Sequence, residues 1–238
     1  MEFEGIVIRR VPFKGDDVMV SVLTKDKMCS FLAKGVLKIF SKNAFSCNFY
    51  TRSRFQTYKG KEGDFLRVGE VIESYPNIGN SMDKLALLDF VSEVTNNLLD
   101  RKDSSYVYDY MQKLLESFNG TFSPWTAALI YFAHVLTAAG YGLDVDRCVE
   151  CGNKTDIGAL SYKDGGFICK NCFDAKEHIK ADTRKLKIVR YIFKVDIANF
   201  NKVEFEKGEC KELILELANF LNWSSQIELK SLNLLKNL

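Results

Sequence analysis

Four cysteines, Cys148, Cys151, Cys169 and Cys172, form two C-x2-C pairs separated by seventeen residues within a stretch otherwise patterned for helices. No other feature constrains the fold as tightly. Zn²⁺ takes four soft ligands at about 2.3 Å in a tetrahedron, and each C-x2-C turn offers two thiolates from one knuckle. Between the pairs, Ala159–Tyr162 and Phe167-Ile168 flank Asp164-Gly165-Gly166, which reads as a hairpin carrying the second knuckle. Gly152 stands directly after the first pair, where such a knuckle needs positive φ.

Other uses of the four thiols fit less well. Disulfide frameworks belong to small secreted chains, whereas this one begins Met1-Glu2-Phe3-Glu4 with no signal-peptide pattern. A redox C-x-x-C needs one pair, not two. Catalytic zinc keeps a position open for water, while four thiolates close the shell. With His134 and His178 the only histidines, no H-E-x-x-H companion exists, so the expectation is one structural Zn²⁺ per chain. Cys29, Cys47 and Cys210 read as small apolar residues. Trp125–Ala139 is too short, and too broken by His134 and Thr137, to cross a bilayer. The expected setting is a reducing, cytoplasmic one without membrane partners.

Charge is unevenly spread along the 238 residues. Residues 1–75 hold thirteen Lys/Arg against nine Asp/Glu (net +4), and residues 76–172 hold eight against twelve (net −4). Between Lys25 and Lys61, nine basic residues face only Asp26, the footprint of a polyanion site. This basic region also alternates apolar and polar residues. Glu2–Arg10, Asp17–Thr24, Met28–Val36, Phe49–Lys59 and Asp64–Tyr75 read as strands separated by turn residues. Five strands with no room for covering helices must close on themselves to remove their edges. An OB-type barrel over residues 1–76 fits, with an SH3-like barrel as the alternative. Period two places Tyr50, Arg52, Arg54 and Tyr58 on one face, either stacking on bases or, for the tyrosines, filling the barrel core. Lys34, Lys38 and Lys42 lie in a basic connection between strands three and four, read as flexible.

Ser74–Ser81 punctuates the chain, and a helical domain over 81–238 follows, with the ribbon inserted at 145–174. Leu85, Leu88, Val91, Val94 and Leu98 line one helix face. A second helix spans about 105–118. A third begins with Ser123 as N-cap and Pro124 at the first position, and ends at Gly140 or Gly142. Further helices are expected at about 183–194, 209–223 and 226–235. The fold class is therefore α+β. His134 reads as a core residue, and no catalytic constellation is present.

The stretch Gly140-Tyr141-Gly142-Leu143-Asp144-Val145-Asp146-Arg147-Cys148, together with Gly5–Arg10, Gly15-Asp16-Asp17, Lys34-Gly35, Ser41-Lys42 and Gly69–Pro76, resembles the RecO family of recombinational repair proteins. The resemblance implies a mediator rather than an enzyme. Such proteins bind single- and double-stranded DNA, anneal strands coated with single-stranded DNA-binding protein, and recognise that protein's acidic C-terminal tail. With RecR they help load RecA, and the implied location is at the nucleoid. The chain departs from the family in carrying Leu37 and Phe40 where further basic residues are common. The expected DNA site is therefore Arg9, Arg10, Lys34, Lys38, Lys42, Arg52 and Arg54 acting together. A zinc-ribbon RNA-binding or transcription adaptor is the alternative reading, and a thiol oxidoreductase a third.

Overall fold

The computed structural model describes residues 1–99 and 105–238. Five strands, β1 (Glu2–Pro12), β2 (Val18–Leu23), β3 (Met28–Ala33), β4 (Arg52–Gly60) and β5 (Gly63–Glu73), close into a barrel of order β1-β2-β3-β5-β4. Pairing is antiparallel except where β3 meets β5 at Leu32 and Phe65, and β1 closes against β4 with Gly5 opposite Ser53. This is the Greek-key order of the OB type, not the SH3-like alternative. Inside, the rings of Phe3, Phe31 and Phe55 lie 5.1–6.3 Å apart among Val7, Val18, Val20 and Val22.

Ile6, Val7 and Ile8 are all buried, although a strand with one wet face would alternate. Val7 joins the barrel core, while Ile6 and Ile8 join the core of the helices. The middle of β1, Ile6–Ile8, is thus covered on both faces. Tyr50 strengthens that junction. Its hydroxyl donates to the carbonyl of Leu88 and meets the hydroxyl of Ser92, which itself donates to the carbonyl of Ile8 at 2.8 Å. At φ +59°, Tyr50 occupies the left-handed region, and β4 consequently starts at Arg52 rather than Phe49. Tyr50 therefore neither shares a strand face with the arginines nor fills the barrel.

The helices are α1 (Met82–Leu99), α2 (Ser105–Asn119), α3 (Pro124–Ala139), α4 (Thr183–Lys194), α5 (Lys207–Ser225) and α6 (Leu232–Lys236). Helix α3 is buried on nearly every side and forms the axis of the bundle. Its ends follow from local chemistry. The Ser123 side chain accepts from the Thr126 N–H at 3.3 Å, and Gly140 at φ +90° returns its N–H to Leu136 and Thr137. On α1 the buried face is Leu87, Leu88, Phe90, Val91, Val94 and Leu98, and Leu85 is exposed. The expected helix over 226–235 shrinks to the single turn of α6. Gln226 ends α5 in the left-handed region, and Glu93 then binds the N–H groups of Lys230 and Ser231 at 2.9 Å each, holding that segment against α1.

His134 lies buried in α3, stacked on Tyr110 at 3.8 Å between ring centroids, with Nδ1 bonded to the Tyr106 hydroxyl. Burial pushes its pKa down to about 4, so the native protein holds it neutral. The unfolded chain, titrating near 6.5, binds the extra proton as pH falls below that value. Stability is therefore retained above about 6.5 and lost progressively down to about 4. The wild type should lose roughly 2 kcal/mol between pH 7 and 5 from this residue. Urea unfolding of His134→Gln at both pH values checks this, since the variant should lack that increment.

Candidate metal centre and nucleic-acid interface

The ribbon is a sheet of order β6-β8-β7-β9, from β6 (Asp144–Cys148), β7 (Ile157–Ser161), β8 (Gly166–Cys169) and β9 (Ile179–Lys180). Strands β7 and β8 form the expected hairpin, with Leu160 opposite Phe167. Strands β6 and β9, which the sequence pattern does not announce, complete the sheet. The first knuckle turns at Gly152, at φ +76°, whose N–H donates to the Cys148 carbonyl at 2.8 Å. The second closes with the Cys172 N–H on the Cys169 carbonyl at 3.2 Å.

These turns bring the four sulfurs within 4.8 Å of one another. Cys151 and Cys169 stand 3.7 Å apart at Sγ, far from a disulfide but close to the ~3.8 Å edge of a tetrahedron with ~2.3 Å metal–sulfur bonds. Desolvation raises the Cys148 thiol, but backbone N–H donors of Cys169, Cys151 and Glu150 outweigh it and bring the pKa down to about 6. Cys172 is pushed up by the thiols of Cys151 and Cys169 beside it. Four thiolates at this spacing repel one another unless a cation sits among them, so the cluster fits a bound metal.

A second group, Glu150, Asp164 and His178, adjoins the cysteines. His178 Nδ1 accepts from the Asp174 N–H at 3.0 Å, which puts the ring proton on Nε2, facing Glu150 at 3.3 Å and Asp164 at 3.6 Å. A metal-bound imidazole instead donates from its free nitrogen. His178 is therefore a brace tying the first knuckle to the hairpin turn. The ribbon docks through Arg190 and Lys194 on Asp146, both at 2.8 Å, and through Tyr162 on Glu216 at 2.8 Å.

On the barrel the seven expected DNA-binding residues separate into two groups. Arg54 pairs with Glu4 at 2.8 Å and reaches Glu2 and Glu70, while Arg52 reaches Glu4 at 3.7 Å and Glu73 at 3.4 Å. Arg54 in turn holds the Glu4 carboxyl below its usual range. The register puts β4 between β1 and β5, so acids from these two strands and the arginines of β4 form one ladder across the outer face. Among the described residues, every ion pair of the barrel engages Arg52 or Arg54. Arg9, Arg10, Lys34, Lys38 and Lys42 have no carboxylate within 4.0 Å there. Arg10 instead donates to Asn48 at 3.2 Å and lies over the Phe49 ring, and Lys34 lies over Phe65. Tyr58 is exposed and stacked on Phe65, 5.5 Å between centroids.

The connection between β3 and β4 is an ordered cap rather than the flexible loop expected. Successive turns run through it: Lys38 to Gly35, Ser41 to Lys38, Ala44 to Ser41, Asn48 to Phe45. Val36 and Cys47 plug into the barrel core. Asn43 accepts the Gly69 N–H at 3.0 Å, and Ser46 approaches Gly69 so closely that a Cβ there would lie 2.3 Å from its hydroxyl oxygen. No acidic residue occurs between Lys27 and Thr57. That run of missing acids is the sequence signal for this surface.

The comparison with known proteins agrees with both halves. Residues 1–75 match the family model described as Recombination protein O N terminal, and residues 79–233 match Recombination protein O C terminal. The chain belongs to the RecO family. It is 25% identical to the DNA repair protein RecO of Halalkalibacterium halodurans, over 99% of this chain and 94% of the relative. The DNA repair protein RecO of Listeria innocua is 26% identical (99% and 93%), and that of Bacillus cereus AH187 25% (99% and 96%). As a RecO protein the chain is a recombination mediator, not an enzyme. None of its helices is long and apolar enough to cross a membrane among the described residues.

Proposed function

We propose that this RecO protein binds single- and double-stranded DNA on the barrel, anneals complementary strands coated with single-stranded DNA-binding protein, and acts with RecR in loading RecA. The barrel over 1–76 is the DNA-binding unit. The helical domain over 81–238, with its ribbon at 145–174, carries one structural Zn²⁺ on Cys148, Cys151, Cys169 and Cys172. Docking of the single-stranded DNA-binding protein's C-terminal tail and work at the nucleoid belong to the same reading. The observation that carries it is that Arg9, Arg10, Lys34, Lys38 and Lys42 have no carboxylate within 4.0 Å among the described residues, on a five-stranded barrel where Arg52 and Arg54 are paired with its own acids. Phosphates are the natural counter-charge for such cations, and binding to them is largely independent of sequence. The test is an annealing assay with complementary strands precoated by single-stranded DNA-binding protein. Acceleration that fades as salt rises is the expected result, and an annealing rate unchanged by the protein would overturn the reading.

A further inference from the structure

The cap between β3 and β4 displays apolar side chains that its turns hold out of the core. Ile39 is 92% exposed, Phe40 93% and Phe45 75%, and Leu37 is also exposed. Adjacent, fully hydrated Ile and Phe forgo burial that a folding chain ordinarily gains. They are not displaced by looseness of the segment. Val36 is buried before them and Cys47 after them, the Leu37 N–H donates to the Asp16 carbonyl at 3.0 Å, and Asp17 accepts the Gly35 N–H at 2.7 Å. Lys38 and Lys42 bracket the apolar pair, and neither has a carboxylate partner among the described residues. Such an alternation of hydrated rings and uncompensated ammonium groups matches the alternation of bases and phosphates along an unpaired strand.

We propose that Phe40, assisted by Ile39, is a base-stacking residue that receives an unstacked base of single-stranded DNA, while Lys38 and Lys42 hold the flanking phosphates. The inference rests on the DNA-binding reading above and adds to it an interaction with the bases. A strand held by a base on Phe40 is kept extended with neighbouring bases open, the condition under which a complementary strand can pair. A base–aromatic stack corresponds to roughly 5- to 100-fold in affinity. Phosphate neutralisation alone sets the salt slope, so that slope should not change when the ring is removed.

The test measures binding of the full chain and of Phe40→Ala to an oligothymidylate and to an abasic strand of equal length, across a salt series. The expected result is a loss of roughly 5-fold or more for Phe40→Ala on the oligothymidylate, no difference between the proteins on the abasic strand, and equal salt slopes. Equal affinity of wild type and variant for the oligothymidylate would overturn the inference and leave the DNA-binding reading standing. Failure of the wild type to bind either strand would overturn both. A third arm uses anionic phospholipid vesicles. Vesicle binding that depends on Phe40, with DNA binding unaffected, would reassign the cap to a lipid surface and overturn the inference. Because the ring is exposed, Phe40→Ala should melt with the wild type, which separates a missing stack from a damaged fold.

Discussion

Cys148→Ser and Cys169→Ser proteins should each lose their bound metal and melt on the order of 10 °C below the wild type. The reason lies in how little else holds the ribbon. Its own buried cluster consists of Cys148, Ala159, Ile168 and Cys169, so two of its four members are proposed ligands. Structural zinc sites contribute on the order of 10 kcal/mol of apparent binding free energy, and in a unit this small that is folding free energy. The damage should also spread. Val145, Leu160 and Phe167 leave the ribbon to join the core built around α3, and each is worth roughly 1.5–3 kcal/mol when buried. Calorimetry with parallel zinc determination checks the prediction. Complete metal loss with an unaltered transition would show that the hairpin stands without its ligands. Salt-dependent DNA binding should survive in either variant below its melting temperature, since no barrel strand contributes to the ribbon sheet.

Replacing Arg9, Arg10, Lys38 and Lys42 together with alanine should reduce the slope of log K against log[salt] by about 3, at roughly 0.7 to 0.9 for each phosphate no longer neutralised. The Arg52→Ala/Arg54→Ala protein should keep a slope close to that of the wild type. Its guanidiniums already face Glu2, Glu4, Glu70 and Glu73, so removing them frees carboxylates rather than phosphate sites. Anisotropy titrations over a salt series distinguish the two sets. A quadruple variant with an unchanged slope would remove those four residues from the interface, and a lowered slope for the arginine pair would show that the ladder opens to admit DNA.

The contrast between these two sets marks how far a linear sequence reaches. Period two correctly aims Arg52 and Arg54 outward. Their partners sit about fifty residues upstream and about twenty downstream, and only the pairing of β4 with both β1 and β5 brings the acids within reach. Tyr50 departs from its expected face for a related reason. Its left-handed backbone breaks the alternation two residues before β4, and its hydroxyl partners are on α1. The cap is half legible: its missing acids are plain in the sequence, whereas the exposure of Ile39 and Phe40 depends on Val36, Cys47 and Gly69 anchoring the turns. The C-terminal segment carries a helical composition, yet Glu93 from α1 captures its backbone and shortens the helix.

What the sequence determined by itself is local chemistry and periodicity. Two knuckles of fixed spacing, a Ser-Pro helix start, a glycine helix stop and strand-length alternation each depend on neighbours a few residues away. They led to the four-cysteine cluster, the barrel, the helices and the family. Only the tertiary structure decided which charges are spent on each other and which are not, because Coulomb pairing is set by distance in space. Among the described residues, the barrel folds distant acids onto Arg52 and Arg54 while leaving Arg9, Arg10, Lys34, Lys38 and Lys42 without them.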